Sequence, residues 1–378
     1  MEHHFHSEFK RSFHLNSSLD ETTKRISASG EVVPYTIQVV LDKAWYYKFW
    51  IMYVMPVVII LGIFNNLYTI FVMNAKGVNV IHRLKVSYTL IAIFDLSTVL
   101  GVDLVFYFLE DGLALLTGGK FFILTRSLST WTCKLTAGWW RGSSIISNYT
   151  LASLCIERTL AVCFPLKAIN FLTKRWIIIQ WSILVIPIFL ISVPMTFYND
   201  DLVQVSEDKF VCAPANPTTF WYFFYAWSGC FLYYFFHGMI MLVSSVLIAY
   251  KLSESRMKKS KLTQGSKSFS SKEINAALTV VSLAILQCCS YFPTTFFCMV
   301  FCLASGDPKF QKDHPESYAD IAIAFDLVNV TFSLAHVWNF YVYFARIASF
   351  RKVFLKYFCC CRDTSLASTK TESLSTKN

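Results

Sequence analysis

Seven stretches of this chain are long and apolar enough to demand either a bilayer or an unusually large core. They run roughly Phe49–Met73, Val86–Leu109, Thr132–Cys163, Trp176–Phe197, Trp221–Leu252, Ile274–Cys302 and Ile321–Phe344. A bilayer-spanning helix needs about 20 mostly apolar residues, and each run supplies them. None alternates apolar with polar residues, and several exceed the length of a barrel strand, so an outer-membrane barrel is disfavoured. Composition agrees, because only 15% of the 378 residues are charged and 55% are hydrophobic. A soluble domain carries about 25% charged residues. The 13 Gly and 10 Pro are too few for a collagen-like or disordered chain. The reading is an all-α membrane protein, a seven-transmembrane helix bundle.

Orientation is read from Lys and Arg in the short loops. The connections after spans one, three and five and the segment after span seven hold seventeen such residues, from Lys76, Arg83 and Lys85 to Arg351, Lys352 and Lys356. The connections after spans two, four and six hold five: Lys120, Arg126, Lys209, Lys309 and Lys312. The N-terminus is therefore expected outside and the C-terminus in the cytoplasm. The net charge of +10 then belongs beside anionic inner-leaflet lipid, and nucleic acid is not expected as a partner. The first 40 residues lack the apolar core of a signal peptide, so the first span is expected to insert as its own signal. They read as a disordered extracellular tail. In it Asn16-Ser17-Ser18 is a glycosylation acceptor sequence, and His3, His4 and His6 are either tail histidines or metal ligands. The sequence has no internal repeat of the kind that builds many transporters.

Ionisable groups inside such spans are costly and mark function by default. Arg158 ends span three within Glu157-Arg158-Thr159, and Cys133 begins that span, 25 residues earlier. At 1.5 Å per residue that is about 37 Å, so Cys133 lies at the outer surface and Arg158 at the inner one. Cys133 and Cys212 are the pair that the topology places clearly outside, where oxidising conditions favour a disulfide. Most of the other cysteines fall within spans and read as small apolar filler. Cys359, Cys360 and Cys361 follow the last basic segment and, beside Lys356, suit S-palmitoylation.

Further motifs carry a resemblance. Asn66 follows Asn65 in span one, and Asp95 stands in Ile-Phe-Asp-Leu in span two. Glu157-Arg158-Thr159 stands where Asp-Arg-Tyr would, and Trp181 lies 23 residues on. Ser290-Tyr291-Phe292-Pro293 stands for Cys-Trp-x-Pro, and Asn339-Phe340-Tyr341-Val342-Tyr343 for Asn-Pro-x-x-Tyr. From Phe49 to Cys361 the chain resembles a rhodopsin-like G-protein-coupled receptor, with Tyr291 in place of the toggle tryptophan, Phe340 in place of the span-seven proline and Leu242 where a span-five proline is common. The resemblance implies a short amphipathic eighth helix around Phe350. It divides the chain into an extracellular tail (1–46), a receptor domain (47–345), a membrane-surface helix (346–358) and a cytoplasmic tail (359–378).

The resemblance also implies a mechanism. Arg158 is expected to pair with Glu157 and with Glu273, which lies 20 residues before Pro293. Glu273 as a solvated helix-start residue remains the alternative. Pro293 removes a backbone donor and kinks span six, so its inner half can swing outward and admit a heterotrimeric G-protein. Tyr250 and Tyr343 are expected near Arg158 in that state. Asp95, Ser147, Asn339 and Asn66 form either a water-filled network or a site for Na⁺; no other cofactor or metal is expected.

Trp140 stands where an amine receptor carries its aspartate, which disfavours an amine ligand. Ser333 stands where a retinal lysine would, which disfavours an opsin. Arg141, two turns below Cys133, either pairs internally with Asp103 or Asp326 or receives a ligand carboxylate. The aromatic run Phe220–Trp227 is either an interfacial belt or pocket wall. With Tyr291 below, Asp103, Trp140, Arg141 and Asp326 outline the expected ligand pocket. Asp200, Asp201, Glu207 and Asp208 would steer a basic ligand. The expected ligand is a neuropeptide, with a small chemosensory molecule as the alternative. The Ser/Thr-rich tail from Thr364 resembles a target of receptor kinases, and hence of arrestin. A seven-span transporter is the rival class. An enzyme is not expected, since no phosphate loop, metal cluster or nucleophile–base spacing is present in the sequence.

Overall fold

The computed structural model describes residues 24–26, 32–34, 45–117, 121, 123, 125–173, 175–206, 209–214, 224, 227–261, 271–305 and 307–358. Asn16, Glu207, Asp208, the loop 262–270 and the tail cysteines Cys359–Cys361 lie outside the described residues. The first helix, α1, passes from a π-helical turn, Trp50–Val54, into Met55–Asn74. In α2, His82–Thr98 continues as a π-helical stretch, Val99–Gly112. Helix α3 is Thr130–Cys163. Trp176–Gln180 and a π-helical turn lead into α4, Ile186–Asn199. The π-helical stretch Gly229–Phe235 leads into α5, Phe236–Lys261, and α6 is Ser271–Ser305. Helix α7 is Pro315–Phe332, continued by a 3-10 turn, Ser333–His336, and by Asn339–Arg346; α8 is Ala348–Phe358.

Five of the described helices, α1, α2, α5, α6 and α7, are long and apolar enough to cross a membrane. Helix α3 has the length, with 34 residues, but carries Lys134, Arg141, Glu157 and Arg158. The side chains are sorted inside out. Val57, Ile60, Phe64, Leu67 and Phe71 face outward on α1, while Asn66, Asp95, Ser147, Asn148, Gln287, His336 and Asn339 are buried between helices. In water that arrangement would be ruinous. Against lipid it is the expected one, because acyl chains are as apolar as leucine and only polar groups must find partners inside.

Local chemistry sets the ends. Ser129 and Thr132 form a reciprocal capping box that starts α3. Pro293 and Pro194 sit inside α6 and α4, where each removes a donor from the helix ladder. Helices α3 and α4 pack closely because Gly138 and Gly142, one turn apart, present no Cβ. An added Cβ would meet the Phe197 ring at 2.6 Å and the Phe189 ring at 2.9 Å. Phe350 and Val353 are buried under α8 while Arg351, Lys352 and Lys356 face out. Tyr68 of α1 packs on Phe354 and Phe358 with ring centroids 5.5 and 4.5 Å apart.

Three features depart from the expectations. Within the tail read as disordered, β1 (Lys24–Ile26) pairs antiparallel with β2 (Val32–Pro34). The connection after α4 is a hairpin of β3 (Asp200–Ser206) and β4 (Lys209–Pro214) that sets Cys212 opposite Leu202. Helix α5 continues past Leu252, so Arg256 to Lys261 lie on a helix rather than in a loop.

Candidate functional site

The polar groups fall into three tiers along the bundle. At one end the Cys133–Cys212 disulfide ties the hairpin to the start of α3, reinforced by Lys134–Asp201 at 3.4 Å. Below it lies a small cavity of about 130 Å³ walled by Trp140, Arg141, Tyr233, Tyr234, Phe301 and Phe325, with Cys230, Cys298 and Cys302 on one side. The Arg141 guanidinium lies 5.9 Å from the Trp140 ring centroid. A Cβ at Gly229 would stand 3.5 Å from the guanidinium, in ordinary contact. Asp326 belongs to α7, next to Phe325 of the cavity wall.

One pairing left open by the sequence does not form. The fully buried Asp103 carboxylate accepts from Ser333 Oγ at 2.5 Å, and its Oδ2 has no hydrogen-bond partner, so it makes no bridge to Arg141. The reason is reach: the π-helical stretch of α2 aims Asp103 at the start of the 3-10 turn in α7. A second correction concerns the cysteines. Cys230 and Cys298, read as apolar filler, form a disulfide that joins α6 to the π-helical stretch leading into α5.

The middle tier centres on Asp95. Its Oδ1 accepts from Ser147 Oγ at 2.5 Å and lies 2.7 Å from His336 Nδ1; its Oδ2 accepts from Asn339 Nδ2 at 2.6 Å. Asn66 donates to the His336 carbonyl at 3.0 Å. Asn65 donates to the Val337 carbonyl at 3.4 Å, and Gln287 to the Ala335 carbonyl at 3.5 Å. Helices α1, α2, α3, α6 and α7 thus meet around one carboxylate and one broken helical turn. Nearby, Tyr291 is fully buried and donates to Asn148 Oδ1 across α3 and α6. Its ring stands edge-on to His237 at 4.4 Å and packs on Phe332 at 5.0 Å. Sequence reasoning missed Asn148, Gln287 and His336 as contributors. Their signal was an amide or imidazole within an apolar run.

At the other end Arg158 Nη2 binds Glu157 Oε1 at 2.5 Å, with Arg83 Nε 3.7 Å from the same oxygen. The expected Arg158–Glu273 bridge is not made. Arg158 turns its Nη2 to the neighbouring Glu157, and Glu273 is exposed. The two still wall a common cavity of about 250 Å³ with Arg83 and Pro165. A second cavity of about 330 Å³ opens beside it, between α2, α6 and the start of α8, walled by Leu84, Tyr88, Asn275, Thr279, Arg346 and Ser349. Tyr343 is buried against Tyr88, with centroids 4.6 Å apart. Tyr250 is 68% exposed.

A lipid-facing exterior wrapped around a polar seam defines a multi-pass helical membrane protein. The chain matches the family model 7 transmembrane receptor (rhodopsin family) over residues 113–344, more than half its length, and it belongs to that family. Members of that family are signalling receptors rather than enzymes. A comparison with curated proteins finds no match. The matched segment begins at the end of α2, so the places of α1 and of Asp95 rest on their own contacts with α7.

Proposed function

We propose that this protein is a plasma-membrane receptor that crosses the bilayer seven times, N-terminus outside, and activates a heterotrimeric G-protein through outward movement of the inner half of α6. The observation that carries the reading is the pair of cavities at the Arg158 end. Charged groups (Arg83, Arg158, Glu273 and Arg346) stand in largely apolar walls; the cavities lie between α2, α3, α6 and α8 and share Ile81. A receptor needs a partner-sized opening there, and movement of α6 about Pro293 would merge the two. Glu157 holds Arg158 in the closed state, and Glu273 acts from the cavity wall as a secondary charge. Tyr343 and the exposed Tyr250 close on Arg158 once α6 has moved. In this reading 1–46 is an extracellular tail glycosylated at Asn16, 47–345 the receptor domain and 346–358 a membrane-surface helix. The remainder, 359–378, is a cytoplasmic tail, lipidated at Cys359–Cys361 and available to receptor kinases and arrestin.

The ligand enters at the disulfide end. The acidic hairpin with Asp200 and Asp201 steers a basic neuropeptide, and Arg141 and Asp326 meet its terminal charges. The described cavity is small beside ligand pockets of about 300–1,000 Å³, so it receives one end or one side chain of the peptide. That size also favours the alternative, a small chemosensory molecule. As for Na⁺, the alternative to a water network at Asp95, the carboxylate already has Ser147, Asn339 and the His336 ring as partners, which favours contacts supplied by the protein itself. We read the centre as a protein-supplied lock. Agonist affinity should then be indifferent to exchange of Na⁺ for a bulky organic cation.

Guanine-nucleotide exchange in membranes that express the chain, driven by a library of basic peptides, tests the receptor reading. Peptide-dependent exchange supports it. Solute movement across the same membranes without nucleotide exchange would replace it with the transporter reading.

A further inference from the structure

The three cysteines beside the upper cavity have a geometry that a staple alone does not require. Cys230 and Cys298 are joined, yet Cys302 Sγ lies 3.7 Å from Cys230 Sγ, and all three sulfurs fall within 4.8 Å of one another. Cys298 and Cys302 are four residues apart on α6, so one helical face carries both toward α5. Zinc–thiolate bonds of about 2.3 Å at tetrahedral angles put ligand sulfurs about 3.8 Å apart. The Cys230–Cys302 pair already has that spacing. Cys298, now bonded to Cys230, would have to move away from it, within reach of a rotation about its own χ1.

We propose that Cys230, Cys298 and Cys302 form a redox-gated binding site for a soft divalent cation of the Zn²⁺ class. The gate is the disulfide. A thiol reductant opens it in a balanced exchange: two reductant thiols become one reductant disulfide, and Cys230 and Cys298 each gain a proton as thiols. Binding then releases three protons as the three sulfurs become thiolate ligands. Three thiolates and a dication leave one negative charge. The Arg141 guanidinium lines the same cavity and offsets it where lipid and protein offer little other screening. The cavity leaves room for a fourth donor, water or a group from a bound molecule. The site therefore exchanges a covalent α5–α6 link for a metal-mediated one. This inference goes beyond the receptor reading and does not depend on it.

The test uses the full chain in detergent, with Cys359, Cys360 and Cys361 changed to Ser to remove a competing thiol cluster, and Cd²⁺ as the probe. The chain is titrated before and after treatment with a phosphine reductant, following the ultraviolet cadmium–thiolate absorption and the bound metal per chain. The reduced chain should gain one tight Cd²⁺ that the oxidised chain lacks. C302S retains the Cys230–Cys298 disulfide, which peptide mapping verifies, and after reduction should bind that ion weaker by about tenfold or more. Equal uptake before and after reduction would overturn the proposal. So would C302S titrating like its parent, because the gain would then belong to Cys133, Cys212 or the scattered free cysteines.

Discussion

Replacing Tyr291 with Phe removes one oxygen and nothing else from a ring packed on three sides. Tyr291 lies two residues on the inner side of Pro293, on the half of α6 that moves in the proposed mechanism, and its hydroxyl donates to Asn148 on α3. The Asn148 Nδ2 group has no hydrogen-bond partner, so loss of the Tyr291 donor strands the whole amide. Hydrogen bonds between helices in a bilayer contribute about 0.6–2 kcal/mol. At about 1.4 kcal/mol per factor of ten, that shifts the closed-to-open equilibrium roughly 3- to 30-fold. A receptor whose open state is a minor population of about 1% would become clearly active without ligand. The assay is ligand-independent guanine-nucleotide exchange in membranes matched for receptor number. Y291F should raise it, and N148L should raise it similarly. The double variant should add little to either, since both remove the same bond. Unchanged basal exchange in Y291F, with surface expression intact, would refute the claim that this bond holds α6 closed.

Three other outcomes follow from the same contacts. Glu157→Gln should raise basal exchange more than Glu273→Gln, because Glu157 is the carboxylate bound to Arg158; the same nucleotide assay ranks them. Gly142→Val should lower the thermal midpoint of the detergent-solubilised protein, at a cost of about 1–3 kcal/mol, since even a Cβ meets Phe189 at 2.9 Å. Cys133→Ser opens a disulfide that spans 79 residues, a loop-entropy contribution of about 4–5 kcal/mol; surface expression should fall sharply, and Cys212→Ser should match it.

The parts legible in the sequence were those carried by length and by spacing along one helix. Apolar runs of more than 20 residues identify the helices without any knowledge of neighbours. The rise per residue puts Cys133 and Arg158 at opposite ends of α3. What could not be read were choices between partners on different helices. Arg158 had two carboxylates in prospect, and only the three-dimensional placement shows Glu157 bound and Glu273 exposed. Asp103 looked like a mate for Arg141 because the two share an estimated depth, but depth says nothing of azimuth. The π-helical stretch of α2 turns the carboxylate to Ser333. Cys230 and Cys298 were hidden for a similar reason. A cysteine in an apolar run looks the same whether it packs or cross-links, and the distinction lies in a facing residue 68 positions away.

The missing proline of α7 shows how a motif can be lost while its physical role persists. Phe340 stands at the position where the resemblance calls for proline, and it can donate a backbone hydrogen bond, so an unbroken helix was available. The chain nevertheless breaks into a 3-10 turn at Ser333–His336. A break frees carbonyls, and those of Ala335, His336 and Val337 are taken by the amides of Gln287, Asn66 and Asn65. The bend is thus held from outside, by donors on α6 and α1, rather than imposed from within by a ring. Three buried amides aimed at three consecutive carbonyls also bring His336 and Asn339 onto the two oxygens of Asp95. Asn66→Leu removes the shortest of the three bonds, at 3.0 Å, and should let α7 straighten. Amide hydrogen exchange across 333–339 reports it: protection should rise as the helix ladder closes, and falling or unchanged protection would show that the break has another cause.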